Sequence, residues 1–135
     1  MTEASITNPS KPVLGVAEPQ LFVGDIRASC DFYREKFGFH VRFAYGEPPS
    51  YAQVVRDAAR LNLRRLDSPI VGAQLGAKQD LLSATVVLDD PEALFQEYQA
   101  KRVPLHQLLK TEAWGARSFI VTDPDGNLIP FSGGR

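Results

Sequence analysis

A single cysteine, Cys30, stands among the 135 residues, so neither an intramolecular disulfide nor a cysteine-built zinc site can be made from this chain. That usage fits a reducing compartment, and the expected location is cytoplasmic. An excess of either charge is also lacking: 15 Lys and Arg against 16 Asp and Glu leave a net charge of -1. No global field draws nucleic acid or an anionic membrane, so the expected partner is a small molecule or another subunit. Nowhere do about eighteen apolar residues stand together. The start carries no basic stretch leading into an apolar run, and the expectation is a chain neither secreted nor membrane-spanning. Also missing are a Gly-rich loop before a helix, a nucleophile elbow and paired helical histidines, the common carriers of phosphate, acyl and zinc chemistry.

What is present is a pattern of periods. Residues 1–15 are polar and broken by Gly and Pro, and read as a flexible tail. Residues 16–24 suit a strand with Pro19 near its edge. Ile26, Cys30, Tyr33 and Phe37 then recur at helical spacing, and Gly38 supplies a stop. Strands are expected over 39–45, 51–56 and 60–66. A looser segment over 67–80 reads as a linker, and a β-branched run begins after it. Pro91 at a first helical turn, with Leu94, Phe95 and Tyr98, predicts a second helix. Strands follow over 103–109, 117–122 and 127–131. Asp125-Gly126 is read as a two-residue hairpin turn with positive φ at both central positions.

The two halves repeat. A shift of 65 residues superposes Asp25 on Asp90, Ala28 on Ala93, Tyr33 on Tyr98 and Lys36 on Lys101, and the same offset aligns strand with strand and helix with helix. The predicted fold class is therefore α+β, with tandem β-α-β-β-β modules over 16–66 and 81–135 forming one domain around a concave mixed sheet.

Duplicated modules of this kind resemble the vicinal-oxygen-chelate superfamily of glyoxalases, bleomycin-resistance proteins and dioxygenases. Phe22-Val23-Gly24-Asp25-Ile26, Ser29, Asp31-Phe32-Tyr33 and Phe37-Gly38-Phe39 are similar to its first-module signature. Trp114-Gly115-Ala116-Arg117, Phe119 and Asp123-Pro124-Asp125-Gly126-Asn127 are similar to the second, and most of all to bleomycin-resistance-like proteins. Enzymes of the superfamily place His, Glu or Gln ligands on the inner strands to hold a divalent ion with open positions. Carried across, those positions fall on Glu18, on Leu82 or Ser83, on Pro130, and near Asn62 and Arg64. Leu and Pro cannot ligate and Arg64 would repel an ion, so no metal and no cofactor are expected. His40 and His106 match no ligand position and read as surface or half-buried residues with local hydrogen bonds. Cys30, on the apolar stripe of a helix, reads as core.

The resemblance implies a metal-independent binding protein, and an enzyme is the less favoured reading: a lyase, isomerase or dioxygenase with an atypical site around Glu18 is its alternative. An interaction module without a small ligand is a third. No catalytic residue is assigned. The candidate ligand-binding residues are Phe43, Tyr51, Gln53, Trp114 and Arg117. In the resembled proteins Trp114 and Phe43 would stack on planar drug rings, although Phe43 also reads as plain core. Tyr51 and Gln53 would offer a hydroxyl and an amide if the strand register turns them toward the cleft. Arg117 reads either as a strand-to-strand ion pair or as a holder of a ligand anion. A homodimer with exchange of the first strand near Pro19 is implied as well. Bleomycin is cationic and is met by strongly acidic proteins in that family, whereas this chain is nearly neutral.

Overall fold

Asp25 and Asp90 do the same work at equivalent places. Each side chain accepts the backbone N–H three residues on, from Ala28 and from Ala93, at 3.0 Å, and so closes an otherwise unpaired helix N-terminus. The helices they start are α1 (Ile26–Glu35) and α2 (Pro91–Ala100). Tyr33 and Tyr98, the third matched pair, are both fully buried. Lys36 and Lys101, the fourth, are the two C-cap residues. The repeat seen in the sequence is thus a repeat of capping and core positions.

The computed structural model describes residues 11–68 and 80–134. Most of the expected tail and most of the expected linker lie outside the described residues. Around α1 run β1 (Gln20–Val23), β2 (His40–Tyr45), β3 (Tyr51–Arg56) and β4 (Ala59–Arg65); around α2 run β5 (Val86–Leu88), β6 (Leu105–Thr111), β7 (Arg117–Thr122) and β8 (Leu128–Gly133). The two four-stranded sheets have equivalent orders, β1-β4-β3-β2 and β5-β8-β7-β6. In each, the first pair is parallel and the others antiparallel. The α+β fold of two β-α-β-β-β modules is as the periods indicated.

Local departures have physical reasons. The first strand starts only at Gln20, because residues 11–17 are exposed and pair with nothing among the described residues. β6 begins at Leu105, after Pro104, which has no N–H for a ladder. The Asp125-Gly126 turn differs in kind from the expected hairpin. Only Gly126 has positive φ, +85°. Asp123 accepts the N–H of Asp125 and of Asn127, both at 2.9 Å, and Gly126 N–H bonds Asp123 O at 3.1 Å. Asp, Pro and Gly thereby occupy the first, second and fourth positions of a turn that favours each of them there.

One core joins the modules. Leu21, Val23, Ala52, Val54, Leu61 and Leu63 meet Ile26, Cys30 and Tyr33 of α1; Phe119, Val121, Ile129 and Phe131 meet Tyr98 of α2. Cys30 is buried within this core, and desolvation pushes its thiol up, which keeps it protonated and unreactive. Polar bonds cross between modules. Tyr33 Oη donates to Asp123 at 2.8 Å, Tyr98 Oη to Phe37 O at 2.7 Å, Lys36 Nζ to Lys101 O at 2.8 Å, and Arg56 forks onto Glu97 at 2.8 and 3.0 Å.

Candidate functional site

Because side chains alternate along a strand, the residues between those core positions face away from the helices. On the first sheet they form a grid set by the register. One row runs Tyr45, Tyr51, Arg64, Phe22, and the next runs Phe43, Gln53, Asn62, Gln20. A third holds His40, Val55 and Arg60. This open face carries the chemistry of the first module.

A chain of side chains crosses it. Arg42, brought onto the face by a register shift between Val41 and Phe43, donates to Gln53 Oε1 at 2.8 Å. Gln53 Nε2 donates to Asn62 Oδ1 at 2.9 Å, and Asn62 Nδ2 to Glu18 Oε1 at 3.2 Å. Glu18 ends the line 3.6 Å from Arg60. Gln53 and Asn62 are each 2% exposed, and their mutual bonding removes the cost of burying two amides. The aromatics lie on the same face, Phe43 in the row of Gln53 and Tyr51 in the next. The Phe43 and Tyr51 rings are 5.9 Å apart and tilted by 33°, Arg42 sits 5.9 Å from the Phe43 centroid, and Tyr45 is exposed beside them.

The second open face is apolar where the first is polar. Ile120 and Pro130 are paired in the register as Gln53 and Asn62 are, and Ser118 with Ser132, Leu128 and the exposed Leu82 complete it. Gln107, opposite Ile120, has its Nε2 buried with no hydrogen-bond partner among the described residues. At its edge Ser118 Oγ donates to Glu112, and Glu112 lies 3.8 Å from Lys110. The β6–β7 hairpin is closed by Glu112 N–H to Ala116 O at 2.7 Å and Gly115 N–H to Glu112 O at 2.9 Å. Gly115, at φ +96°, permits that turn. Trp114 at the tip is left 64% exposed.

Of the five candidate ligand residues, the structure brings Phe43, Tyr51 and Gln53 together on one face. Gln53 has its oxygen and its nitrogen engaged within the sheet, so it orients Arg42. Trp114 and Arg117 belong to the other module. Arg117 turns to the helix side, 3.6 Å from Glu92 and 3.3 Å from Thr111 Oγ1. Arg42 and Tyr45 were not singled out from the sequence. A bulge displaces Arg42 from the simple alternation that would have placed it, and Tyr45 carries no motif.

The donor set does not fit a divalent ion. Glu18 is the one carboxylate at the carried-over positions, and it is bonded by Asn62 and faces Arg60. Pro130 and Leu82 offer no donor atom. Ser83, the alternative to Leu82, donates to Asn127 Oδ1 at 2.7 Å. Among the described residues no three His, Cys, Asp or Glu side chains converge. His106 meets Asp80 at 2.6 Å, and His40 is exposed. On the helix side a groove of about 520 Å³ separates the modules, floored by Phe39, Tyr98 and Phe131. Its arginine, Arg56, is already bound by Glu97.

A family model described as Glyoxalase/Bleomycin resistance protein/Dioxygenase superfamily matches residues 15–131. A bleomycin resistance protein from Geobacillus stearothermophilus is 30% identical over 125 residues, 84% of this chain and 92% of that protein. The bleomycin-binding protein of bleomycin-producing Streptomyces verticillus, solved with copper(II)-bleomycin, is similar at 26% identity with a TM-score of 0.72, over 93% of this chain and 100% of that one. The bleomycin resistance determinant encoded on transposon Tn5 shares the fold at 17% identity, with a TM-score of 0.73 over 90% of this chain and 99% of the other.

Proposed function

Since the chain belongs to the glyoxalase/bleomycin resistance protein/dioxygenase superfamily, we propose that it is a metal-independent protein that binds and sequesters a planar aromatic or heterocyclic small molecule without changing it. The observation that carries this reading is the polar line Arg42–Gln53–Asn62–Glu18. Two of its members, Glu18 and Asn62, stand at or near positions to which the resemblance carries the enzymes' ligands, and the line spends its donors on internal bonds beside an aromatic platform. Relatives named for bleomycin resistance and bleomycin binding support it.

In this reading Phe43 and Tyr51 stack on one side of the ligand and Trp114 on the other. Offset aromatic contacts of that kind add about 0.5–1.5 kcal/mol each beyond area burial. Gln53 holds the platform in place through its bond to Arg42, and Arg117, on the helix side, pairs with Glu92 and does not reach the ligand. Because Trp114 stands on the other module, the cleft is proposed to close in a homodimer, each copy supplying one face. The apolar surface on both parts of the chain supports this: Val13 and Leu14 are 94% and 93% exposed, and Val87 and Leu82 are exposed on the second module. Exchange of the first strand near Pro19 between the two copies is proposed to accompany the dimer. The proposed setting is the cytoplasm. No described helix is long and apolar enough to cross a membrane.

The test is a thermal-shift titration in chelator with bleomycin and a panel of planar aromatic compounds, repeated with manganese, nickel or zinc in place of the chelator. Binding at a hundredfold excess over Kd adds about 2.7 kcal/mol, a shift of several degrees. A saturable shift in chelator is expected. A shift obtained only with metal would overturn the reading in favour of an enzyme site at Glu18.

A further inference from the structure

Five arginines lie on the strands of the first module, and they differ in what neutralises them. Arg56 is bound by Glu97, Arg60 faces Glu18 at 3.6 Å, and Arg65 meets Asp67 at 2.9 Å. Arg42 and Arg64 have no carboxylate partner among the described residues. Arg42 is held instead by the neutral oxygen of Gln53 at 2.8 Å, which orients the guanidinium and leaves its charge in place. Both uncompensated cations are on the open face. Arg64 stands directly across from Tyr51 in the β3–β4 register and from Phe22 in the β1–β4 register. Arg42 lies over Phe43. Directly opposed side chains on neighbouring strands have their Cβ atoms about 4.5–5.5 Å apart, so the platform of Phe43, Tyr51 and Tyr45 is flanked by a guanidinium on each side.

From this arrangement we propose that the open face of the first sheet selects planar aromatic anions, aromatic carboxylates above all, over aromatic cations. The proposal rests on the binding reading given above and names the charge of the ligand it takes. Rings stack on Phe43 and Tyr51, while Arg64 or Arg42 receives the carboxylate through the forked, charge-assisted geometry that guanidinium and carboxylate share. The facing charges do not oppose it. Glu18, the acidic group at the end of the line, is taken up by Asn62 and Arg60. On the second open face Ser118, Ile120, Pro130 and Ser132 are neutral, and Glu112 is paired with Lys110. A cationic drug such as bleomycin would meet two unpaired like charges here, and like-charge juxtaposition is how binding surfaces reject wrong partners.

The experiment is isothermal titration of the full chain with three compounds of one shape and different charge: 2-naphthoate, 2-naphthamide and 2-naphthylmethylammonium. At about 50 mM salt, where screening is weak, 2-naphthoate is expected to bind about tenfold more tightly than the ammonium compound, with the gap narrowing at about 300 mM. Arg64→Gln and Arg42→Gln change exposed side chains, so circular dichroism should remain that of the unaltered protein. In these variants the naphthoate-to-naphthamide affinity ratio is expected to fall toward one. Ammonium binding as tight as naphthoate, or a ratio untouched in both variants, would overturn the charge selection and leave the binding reading standing. Absence of binding by all three compounds, together with no thermal shift from any planar compound or bleomycin, would overturn both.

Discussion

Tyr33 donates its hydroxyl to the carboxylate of Asp123 at 2.8 Å across 90 residues of chain, inside the protein. The bond links the first helix to the last turn. Asp123 also accepts from the backbone N–H groups of Asp125 and Asn127 and from Asn127 Nδ2, each at 2.9 Å. Burial still raises its pKa, with the bonds from Asn127 and Tyr33 working against that rise. Burial and the nearby Asp123 charge hold the Tyr33 phenol protonated, well above its ordinary range.

Tyr33→Phe is expected to cost about 1.5–3 kcal/mol, the range for a buried hydrogen bond to a charged group. Tyr98→Phe, which loses only a bond to a neutral carbonyl, should cost about 1 kcal/mol. Urea unfolding of both variants gives the comparison. The pH dependence has a definite sign. A carboxyl whose folded pKa is raised favours the folded state below its unfolded value of about 3.9, and that contribution is lost as pH rises through the folded pKa. Removing the Tyr33 bond raises the folded pKa further, so the Tyr33→Phe penalty should be larger at neutral pH than in mild acid.

The Arg56–Glu97 fork titrates the other way. Glu97 is lowered from the ordinary carboxylate range, first by its hydrogen bond to Arg56. Its stabilisation is present above the unfolded value of about 4.3 and is lost as pH falls through the lower folded value. Both side chains are about a third exposed, so solvent screening limits Glu97→Gln to a loss of about 1 kcal/mol. Chemical denaturation from neutral pH downward should show a constant gap between wild type and variant that closes in the acid range.

How much of this could be read without coordinates depended on which interactions are local. The Gly38 stop and the apolar stripe through Ile26, Cys30 and Tyr33 depend on near neighbours in sequence, and they appeared where their spacing put them. The duplication was legible because Asp25 and Asp90, and Lys36 and Lys101, repeat local capping chemistry. The site was only partly legible. Phe43, Tyr51 and Gln53 share a face because of a register that no local signal fixes, and Arg42 reaches that face through an irregularity between paired strands. The engagement of Gln53 by Asn62, nine residues on, could not be seen from residue type. The turn at Asp123 departed from its expected form because a buried side chain, tied to Tyr33 far away, organises it.

The matched caps yield a symmetric prediction. Asp25→Ala and Asp90→Ala each remove one side-chain acceptor from an exposed helix start, at the same 3.0 Å distance. Each should cost about 1 kcal/mol. Their sites share no partner in these capping bonds, so the double variant should lose the sum within about 0.5 kcal/mol. A coupling well beyond that in thermal or urea unfolding would show that the two helix starts are linked through the core.

Trp114 separates stability from binding. Its ring is mostly exposed at the tip of the β6–β7 hairpin, and the turn is made by backbone bonds and by Gly115. Trp114→Ala is therefore expected to change the unfolding free energy measured in urea by no more than about 0.5 kcal/mol. Phe43→Ala breaks the contact with Tyr51 at 5.9 Å and should cost about 0.5–1.5 kcal/mol of stability as well. For a ligand held between the two faces, both variants should lose most of the thermal shift given by a planar compound, although only one is destabilised. If Trp114→Ala kept the full shift while Phe43→Ala lost it, the ligand would lie on the first sheet alone, and the second face would have no part in holding it.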